Sequence, residues 1–168
     1  MELHGLDTEN EVFFYEQDFY VLSNFSAFSI KWQGRRFPTS EHAYHWEKFE
    51  PGTTDEGGTY VRDRIMNAWS AHDAFKLAEG WKYLRRSDWD AVKVEIMHGI
   101  IRAKAAQHEY VRRKLLDTGD RCLIENSWRD DFWGWGQNRD GKNMLGTLWM
   151  RVRAELRQAA EQPAAQAA

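Results

Sequence analysis

Cysteine is almost absent from this chain of 168 residues, which contains a single one, Cys122. A single cysteine excludes a disulfide framework and a cysteine-rich metal site. Cys122 lies in the apolar run RCLIE, which predicts a buried and inert thiol in a reducing compartment. We therefore expect a cytoplasmic protein.

Long apolar segments and an excess of basic residues are also missing. No run approaches the roughly 20 residues of a membrane-spanning helix, and the N-terminal stretch MELHGLDTEN lacks the basic-then-apolar layout of a signal peptide. The net charge of −3 excludes the overall electrostatic footprint of a strong nucleic-acid binder, although it allows a local basic cleft. The sequence therefore predicts a soluble protein with no membrane partner.

Tryptophan, by contrast, is abundant. The chain has nine tryptophans, with 42% hydrophobic and 29% charged residues overall, which is a globular composition at a length typical of one domain. Indole rings serve in cores, in interfaces and as flat walls against planar ligands. Core packing must account for several of the nine.

Local signals place the elements of the fold. Two short extended segments, 11–16 and 28–38, predict a small hairpin or sheet, and the second contains the turn signal Gln33-Gly34. Thr39 or Ser40 can cap the following helix, whose first turn holds Glu41. Further helices are expected at 70–80, from 87, at 108–119 and near the C-terminus, with a short buried strand at RCLIENS. The apolar stripes are Trp89, Val92, Ile96, Ile100 and Ala103 on the longest helix, and Leu145, Leu148, Val152 and Leu156 on the last.

The loop DDFWGWGQNRDGKN, residues 130–143, is unusual because it contains two tryptophans. Turns explain its glycines, asparagines and aspartates, but a surface loop has little core to offer Trp133 and Trp135. A dinucleotide-binding fingerprint is excluded, since its third glycine position is Arg139 and no parallel βαβ pattern surrounds it. The two aromatic side chains therefore indicate the wall of a pocket.

Carboxylates beside aromatic residues are the groups that the sequence offers for catalysis. The histidines are scattered and no serine lies in a G-x-S-x-G elbow, so neither a metal site nor acyl chemistry is predicted. The candidate carboxylates are Glu41, Asp88, Asp90, Glu125, Asp130 and Asp131. A carboxylate can activate water or stabilise an oxocarbenium-like transition state, while an indole face holds a base or ribose. The combination suits cleavage of a glycosidic bond.

Each candidate also has a structural interpretation. Glu41 complements the dipole at a helix start, Trp89 lies on an apolar stripe, and Asp130 can accept bonds from nearby backbone N–H groups. The turn at residues 141–143 offers free N–H groups and a lysine for a phosphate, or else is an ordinary turn with Asn143 as helix N-cap. The residues alone leave these alternatives open.

Two long segments carry a series of motifs in a fixed order. Residues 20–49 and 88–156 contain S-N-F, P-T-S-E-H followed by K-F, a helix opening with tryptophan, L-x-x-T-G-D, D-x-x-W-G-x-G and G-x-N-x-L-G-x-x-x-M-x-x-R. These motifs resemble those of the NADAR family, which includes YbiA-type N-glycosidases. The resemblance implies a mainly helical α+β single domain with a small antiparallel sheet, acting as a hydrolase of N-glycosidic bonds without a metal or redox cofactor. We place the domain at 11–157, after a flexible N-terminus (1–10) and before a disordered tail (158–168).

The resemblance also carries site residues over to individual positions. It implies catalytic roles for Glu41, Trp89 and Asp130, and substrate-binding roles for Ser23, Asn24, Phe25, Lys48, Trp133, Gly134, Gly136 and Asn143. In this assignment Glu41 or Asp130 activates water or stabilises the cationic ribosyl centre. Trp89 and Trp133 clamp the base and sugar, and Lys48 contacts phosphate together with the turn before the last helix.

Family members differ in their substrates. YbiA-type members act on phosphoribosylamino-pyrimidine intermediates of riboflavin synthesis, and others remove ADP-ribose from guanine in DNA or RNA. The acidic net charge favours the small phosphoribosylated substrate, whereas one basic cluster would suit nucleic acid: Arg85, Arg86, Lys93, Arg112, Arg113 and Lys114. A third alternative is a non-catalytic module that binds ADP-ribose or NAD. We expect a monomer or a weak oligomer.

Three features depart from the family pattern. The segment AFKLAEGWKYLRR stands where the family tends to have a small, basic run, the PGTTDEGG insertion precedes it, and Trp135 replaces what is often a small or polar residue. Phosphate contacts from the first segment and the width of the pocket at Trp135 are therefore left open.

Overall fold

Helices dominate the structure, a computed structural model that describes residues 6–15, 17–51 and 58–162. The strands are β1 (Glu11–Phe13), β2 (Ile30–Trp32), β3 (Arg35–Phe37) and β4 (Cys122–Ile124). The helices are α1 (Ser40–Glu47), α2 (Gly58–Met66), α3 (Ala71–Gly80), α4 (Trp89–Gln107), α5 (Glu109–Asp117) and α6 (Met144–Glu161), with short 3₁₀ helices at Gln17–Leu22 and Lys82–Leu84. The predicted class, mainly helical α+β with a small antiparallel sheet, is confirmed.

The chain divides into two compact units. The central unit comprises residues 23–111, and the terminal unit comprises residues 1–22 and 112–168. Most of the PGTTDEGG insertion lies outside the described residues, as do residues 1–5 of the predicted flexible N-terminus and 163–168 of the predicted tail.

A two-residue turn closes the hairpin of the central unit. Strands β2 and β3 pair antiparallel, with Ile30 opposite Phe37, and both of these side chains are buried. Gln33 and Gly34 have positive φ angles of 48° and 74°, which is the pattern of a type I′ turn. The predicted turn is therefore confirmed, and the hairpin lies entirely within the second extended segment, whereas β1 of the first segment pairs with β4.

Helix α1 is enclosed within the central unit. Thr39, one of the two predicted caps, is the N-cap and accepts a hydrogen bond from the His42 N–H at 3.3 Å. Every residue from Ser40 to Glu47 is buried, because the helix packs against β3, α2, α3 and α4. The titratable side chains of α1 must therefore find their partners inside the protein.

Helix α4 buries a different face from the one that its sequence predicts. Trp89 and Ile100 are buried as expected. The other members of the predicted stripe, Val92, Ile96 and Ala103, are half-buried, and Met97, Ile101 and Lys104 are buried instead. Because α4 packs against both α1 and β2, its covered surface is broader than a single stripe.

A parallel strand pair and helix α6 form the core of the terminal unit. Strand β1 pairs with β4, with Val12 opposite Leu123, and α6 packs against β4. Leu145, Leu148 and Val152 of the predicted α6 stripe are buried. The short strand expected at RCLIENS is thus present and lies in this core.

Cys122 is exposed, so the prediction of a buried thiol is wrong. It is the first residue of β4, and the apolar character of the run belongs to Leu123 and Ile124, which are buried. The Cys122 backbone N–H donates to the Asn10 carbonyl at 2.8 Å, which fixes the start of the strand at the surface.

The start of α6 lies directly against the backbone of β4. Asn143, at a φ of 47°, accepts the Glu125 N–H at Oδ1 (2.9 Å) and donates from Nδ2 to the Leu123 carbonyl (2.8 Å). Gly146 faces the same carbonyl, and a Cβ at this position would overlap the Leu123 oxygen. Glycine is therefore required here by the close approach of helix and strand.

Helix α6 extends beyond the domain boundary predicted at residue 157 and ends at Glu161. The first residues assigned to a disordered tail are therefore helical. Neither α6 nor any other helix in the described part of the chain combines the length and apolar character that a membrane crossing requires.

Replacement of Gly146 by alanine is expected to destabilise the protein. The added methyl group would overlap the Leu123 carbonyl and lower the free energy of unfolding by about 1–3 kcal/mol. Gly80→Ala is the matched control, because a Cβ at the end of α3 meets nothing within 4 Å. Urea unfolding of both variants tests this, and a Gly146→Ala midpoint equal to that of the wild type would contradict it.

Candidate active site

Glu41 is a buried carboxylate in the first turn of α1, with 9% of its surface exposed. Its backbone N–H donates to the Asn24 carbonyl at 3.1 Å. One side-chain oxygen, Oε1, lies 2.6 Å from Nε2 of His45, one helical turn further along. This bond leaves the second oxygen, Oε2, for a water molecule or a substrate.

His45 is the side chain that holds the Glu41 carboxylate. It is 2% exposed, and burial lowers its pKa below the usual 6.5, although the neighbouring Glu41 opposes this shift. The imidazole is therefore neutral near pH 7, and Nε2 must carry the proton in order to donate to the carboxylate. Nδ1 is then a bare acceptor, and it has no hydrogen-bond partner among the described residues.

Sequence reasoning misses His45, because the histidines are considered there only as metal ligands. In the structure, His42 lies 2.8 Å from Thr39 Oγ1 through Nδ1 and 3.1 Å from the Ala68 carbonyl through Nε2. The described residues contain no group of three or more His, Cys, Asp or Glu side chains placed to hold a metal ion. The signal that identifies His45 is its i, i+4 spacing from Glu41 on one helix face.

Lys48 places a buried cation beside two aromatic rings. Its Nζ lies 5.1 Å from the ring centroid of Tyr44 and 5.9 Å from that of Trp89, both within the range of cation–π attraction. Burial lowers the pKa of Lys48, while Glu41 and Glu79 act to raise it. An anion that reached this amino group would therefore meet a charge that water screens only weakly.

Trp89 opens helix α4 and is 2% exposed. Its ring packs against that of Tyr44 with centroids 5.1 Å apart, and it lies beside the Lys48 amino group. Trp89 is thus a core residue, as its position on the apolar stripe indicates, and it also forms an apolar wall next to Lys48. Its role as a substrate clamp stays a prediction.

The loop of residues 23–26 supplies polar groups next to Glu41. Ser23 and Asn24 are buried, whereas Phe25 is 42% exposed. Asn24 donates from Nδ2 to Met97 Sδ at 3.4 Å, and its Oδ1 has no hydrogen-bond partner among the described residues. Buried oxygens without a partner are uncommon in proteins, so Oδ1 is a candidate acceptor for a substrate N–H or O–H group.

Asp130 holds the tryptophan-containing loop of the terminal unit. Its Oδ1 accepts the N–H groups of Phe132 at 2.9 Å and of Trp133 at 2.7 Å, as the structural interpretation of this carboxylate proposes. Trp133 is half-buried, and its ring meets that of Phe132 edge to face, with centroids 4.9 Å apart. Asp130 therefore has a structural task in addition to its predicted catalytic one.

The turn at residues 141–143 has its backbone N–H groups engaged within the loop. Gly141, Lys142 and Asn143 donate to the carbonyls of Trp135, Asp131 and Gly134 at 2.7, 2.7 and 2.9 Å. The prediction that free N–H groups in this turn hold a phosphate is therefore wrong, because the loop folds back and its own carbonyls accept these bonds. Asn143 occupies the N-cap position of α6, but its side chain makes no capping bond and instead joins β4 to α6.

Packing explains the glycines and the second tryptophan of this loop. A Cβ on Gly134 would lie 2.9 Å from the Asp130 carbonyl oxygen, and Gly136 has a φ of 72°, which favours glycine. Trp135 donates from Nε1 to Asn126 Oδ1 at 2.9 Å, and its ring lies 5.0 Å from that of Phe13. Trp135 therefore packs within the terminal unit, and this packing explains why the loop contains a second tryptophan.

The predicted site residues fall into two sets, one in each unit. The central unit holds Ser23, Asn24, Phe25, Glu41, Lys48 and Trp89, and the terminal unit holds Asp130, Trp133, Gly134, Gly136 and Asn143. Within the first set, hydrogen bonds and ring contacts link the polar groups into one cluster around α1. The groups best suited to acid–base chemistry are therefore those around Glu41.

One family pattern covers most of the sequence. A family model described as the NADAR domain matches residues 13–157. The chain belongs to the NADAR family. The resemblance inferred from the motifs is thereby confirmed, and the matched NADAR domain includes every predicted site residue.

Relatives of this NADAR domain include proteins named N-glycosidase. The chain is 38% identical to an N-glycosidase of Nostoc punctiforme over 148 residues, covering 87% of this chain and 92% of that protein. It is 37% identical to N-glycosidase YbiA of Shigella boydii over 139 residues, covering 83% and 82% respectively. A riboflavin biosynthesis protein of Vibrio vulnificus is 36% identical over 152 residues, but the match spans only 40% of that longer protein. The predicted enzyme class, a hydrolase acting on N-glycosyl bonds, is confirmed at this level.

A solved structure shares the fold of the NADAR domain. The NMR structure of Escherichia coli YbiA matches with a TM-score of 0.80 and 32% identity, over 96% of this chain and 94% of that one. The YbiA-like α+β fold that the motifs imply is therefore confirmed.

The buried histidines predict that stability falls on acidification. Burial lowers the pKa values of both His42 and His45 below 6.5, so below that pH the unfolded chain binds protons that the folded chain does not. The contribution of each histidine is complete above pH 6.5 and is lost as the pH falls toward its folded-state pKa. His45→Gln should flatten this decline, because glutamine keeps an N–H donor but cannot titrate.

Urea unfolding at several values between about pH 5 and pH 8 measures the dependence. His72→Gln is the control, since His72 is an exposed histidine on α3. A His45→Gln variant whose stability falls with acid as steeply as that of the wild type would contradict the assignment.

Proposed function

We propose that this NADAR domain hydrolyses the N-glycosidic bond of phosphoribosylamino-pyrimidine intermediates of riboflavin synthesis. Relatives named N-glycosidase and riboflavin biosynthesis protein support this substrate class. The observation that carries the proposal is the buried Glu41 carboxylate, bonded to His45 at 2.6 Å on the helix face that also presents the cation of Lys48.

Glu41 acts as the general base. With Oε1 bonded to His45, Oε2 takes a proton from a water molecule as the water oxygen attacks C1′ of the ribosyl group. The C1′–N bond breaks through an oxocarbenium-like transition state, which the negative carboxylate stabilises. The leaving nitrogen keeps the bonding electron pair and receives the proton that Glu41 accepted, which yields the free amine and the ribose phosphate.

Lys48 binds the phosphate of the substrate. Its amino group is buried and lies over Tyr44 and beside Trp89. A phosphate bound there interacts with a cation that water screens only weakly, and its negative charge helps to keep the amine protonated. The 141–143 turn cannot share this task through its N–H groups, since all three donate to loop carbonyls. Asn24 Oδ1 is the acceptor proposed for an N–H or O–H group of the substrate.

Glu41 is a better base than Asp130 because of what each carboxylate already does. Asp130 Oδ1 accepts two backbone N–H groups that shape its loop, and such bonds give the carboxylate a structural role. Glu41 has one oxygen engaged by a neutral imidazole and is enclosed by the central unit. Replacement of Glu41 by glutamine and replacement of Asp130 by asparagine should therefore affect kcat differently.

The small substrate is favoured over ADP-ribosylated nucleic acid. In the basic cluster that would serve nucleic acid, Arg86 bonds Asp88 at 2.6 and 2.8 Å, and Lys93 bonds Asp90 at 2.8 Å. Carboxylates therefore neutralise part of the charge that phosphate contacts would need. Removal of ADP-ribose from guanine and non-catalytic binding of ADP-ribose or NAD become outcomes of the same experiment.

Conversion of Glu41 to glutamine should lower kcat by about 10²–10⁴-fold, because the amide cannot accept a proton. Asp130→Asn is the matched variant, and it should keep most of the activity, since the asparagine Oδ1 still accepts the two loop N–H groups. Free base released from the riboflavin intermediate and from ADP-ribosylated guanosine is measured in parallel, with circular dichroism as the check on folding.

The outcomes separate the three functions. Release of base from the riboflavin intermediate alone supports the proposal, and release from the guanosine alone assigns the chain to the second substrate. Calorimetric binding of ADP-ribose without any release would indicate a non-catalytic module. Undiminished turnover by folded Glu41→Gln would refute the role of Glu41.

A further inference from the structure

Lys104 is a lysine of α4 with 0% of its surface exposed. We propose that Lys104 is a positioning residue, which sets the location of Glu41 by clamping the loop of residues 23–26. The proposal rests on the function proposed for Glu41, but the clamp itself can be tested without turnover.

The amino group of Lys104 holds this loop at two points. It donates to the Ser23 carbonyl at 2.9 Å and to Ser26 Oγ at 2.7 Å, and it lies 5.4 Å from the ring centroid of Phe28. The Ser23 carbonyl also accepts the Ser26 hydroxyl at 2.7 Å and the Ser26 N–H at 3.2 Å. Three donors therefore converge on one carbonyl, which closes the loop.

The clamped loop is bonded directly to the start of α1. The Asn24 carbonyl accepts the Glu41 N–H at 3.1 Å, and a first-turn N–H has no partner within its own helix. This bond fixes where the first turn of α1 lies relative to the loop. Movement of the loop would therefore move the backbone of Glu41.

Helix α4 contacts the loop a second time through Met97. Asn24 Nδ2 donates to Met97 Sδ at 3.4 Å, and Met97 precedes Lys104 by two helical turns, on the same face of the helix. The weak thioether bond orients the Asn24 amide, and the charge-assisted bonds of Lys104 supply the strength. The bond of the Asn24 carbonyl to Glu41 and the proposed contact of Asn24 Oδ1 with the substrate then both depend on α4.

A cation at this position is costly unless it has a specific task. Burial of an ammonium group loses its hydration, and a methionine would fill a similar volume without that loss. An ammonium group has three donors, and two of them are accounted for by the Ser23 carbonyl and the Ser26 hydroxyl. Lysine is therefore suited to fasten the loop to α4, because one amino group donates both to a backbone carbonyl and to a side-chain hydroxyl of the loop.

The test compares Lys104→Met with Ser26→Ala and with Arg102→Met, a control at an exposed position of α4. Two quantities are measured: amide hydrogen exchange at Glu41 by NMR, and kcat per folded molecule. Lys104→Met should speed Glu41 exchange and lower kcat by about tenfold each, as expected for loss of a charge-assisted hydrogen bond. Ser26→Ala should act in the same direction but less, and Arg102→Met should change neither.

A purely structural lysine would give a different result. It would lower stability while leaving Glu41 exchange and kcat per folded molecule unchanged, and that result overturns the proposal. If Lys104→Met does not fold, Ser26→Ala decides, and unchanged exchange at Glu41 in that variant overturns the proposal as well. If the wild type has no hydrolase activity, the proposed function fails, but the exchange data still decide whether Lys104 positions Glu41.

Discussion

The burial of α1 is the constraint on which the rest of the central unit depends. Other elements pack against this helix, and five buried acidic, basic or histidine side chains lie on it or at its C-cap: Glu41, His42, His45, Glu47 and Lys48. Each can stay inside only with a partner, and Glu47 illustrates this, since it accepts the Trp32 Nε1–H at 2.6 Å. The arrangement of the helices around α1 therefore also fixes the arrangement of its chemical groups.

This enclosure gives the cluster its electrostatic character. The Glu41 carboxylate and the ammonium group of Lys48, the C-cap residue of α1, are two helical turns apart, with the neutral imidazole of His45 between them in the sequence. Both charges act where water screens poorly. Charges fixed by the fold in such surroundings need little rearrangement when a substrate develops charge. In the same surroundings, burial lowers the pKa of Lys48, whereas the nearby carboxylates act to raise it.

Local chemistry made much of the fold predictable. Neighbouring residues alone indicate three features that the structure contains: the Thr39 cap, the Gln33-Gly34 turn and the start of α3 after Ser70. Features that depend on distant partners were not predictable in the same way: periodicity marks an apolar face, but it cannot show that a lysine on that face is bonded to residues 23 and 26. The Glu41–His45 pair is an intermediate case, because its i, i+4 spacing is present in the sequence but becomes a contact only once these residues form one helix.

The loop at residues 130–143 has one more property. The five N–H groups of residues 141–145 donate, one each, to the five carbonyls of residues 131–135. A single inserted residue in either stretch would disturb the whole set, because every bond joins one particular donor to one particular acceptor. The exposed tip at residues 137–140 lies outside this pairing, so it is the place where a homologous chain can gain or lose length while the tryptophans keep their positions.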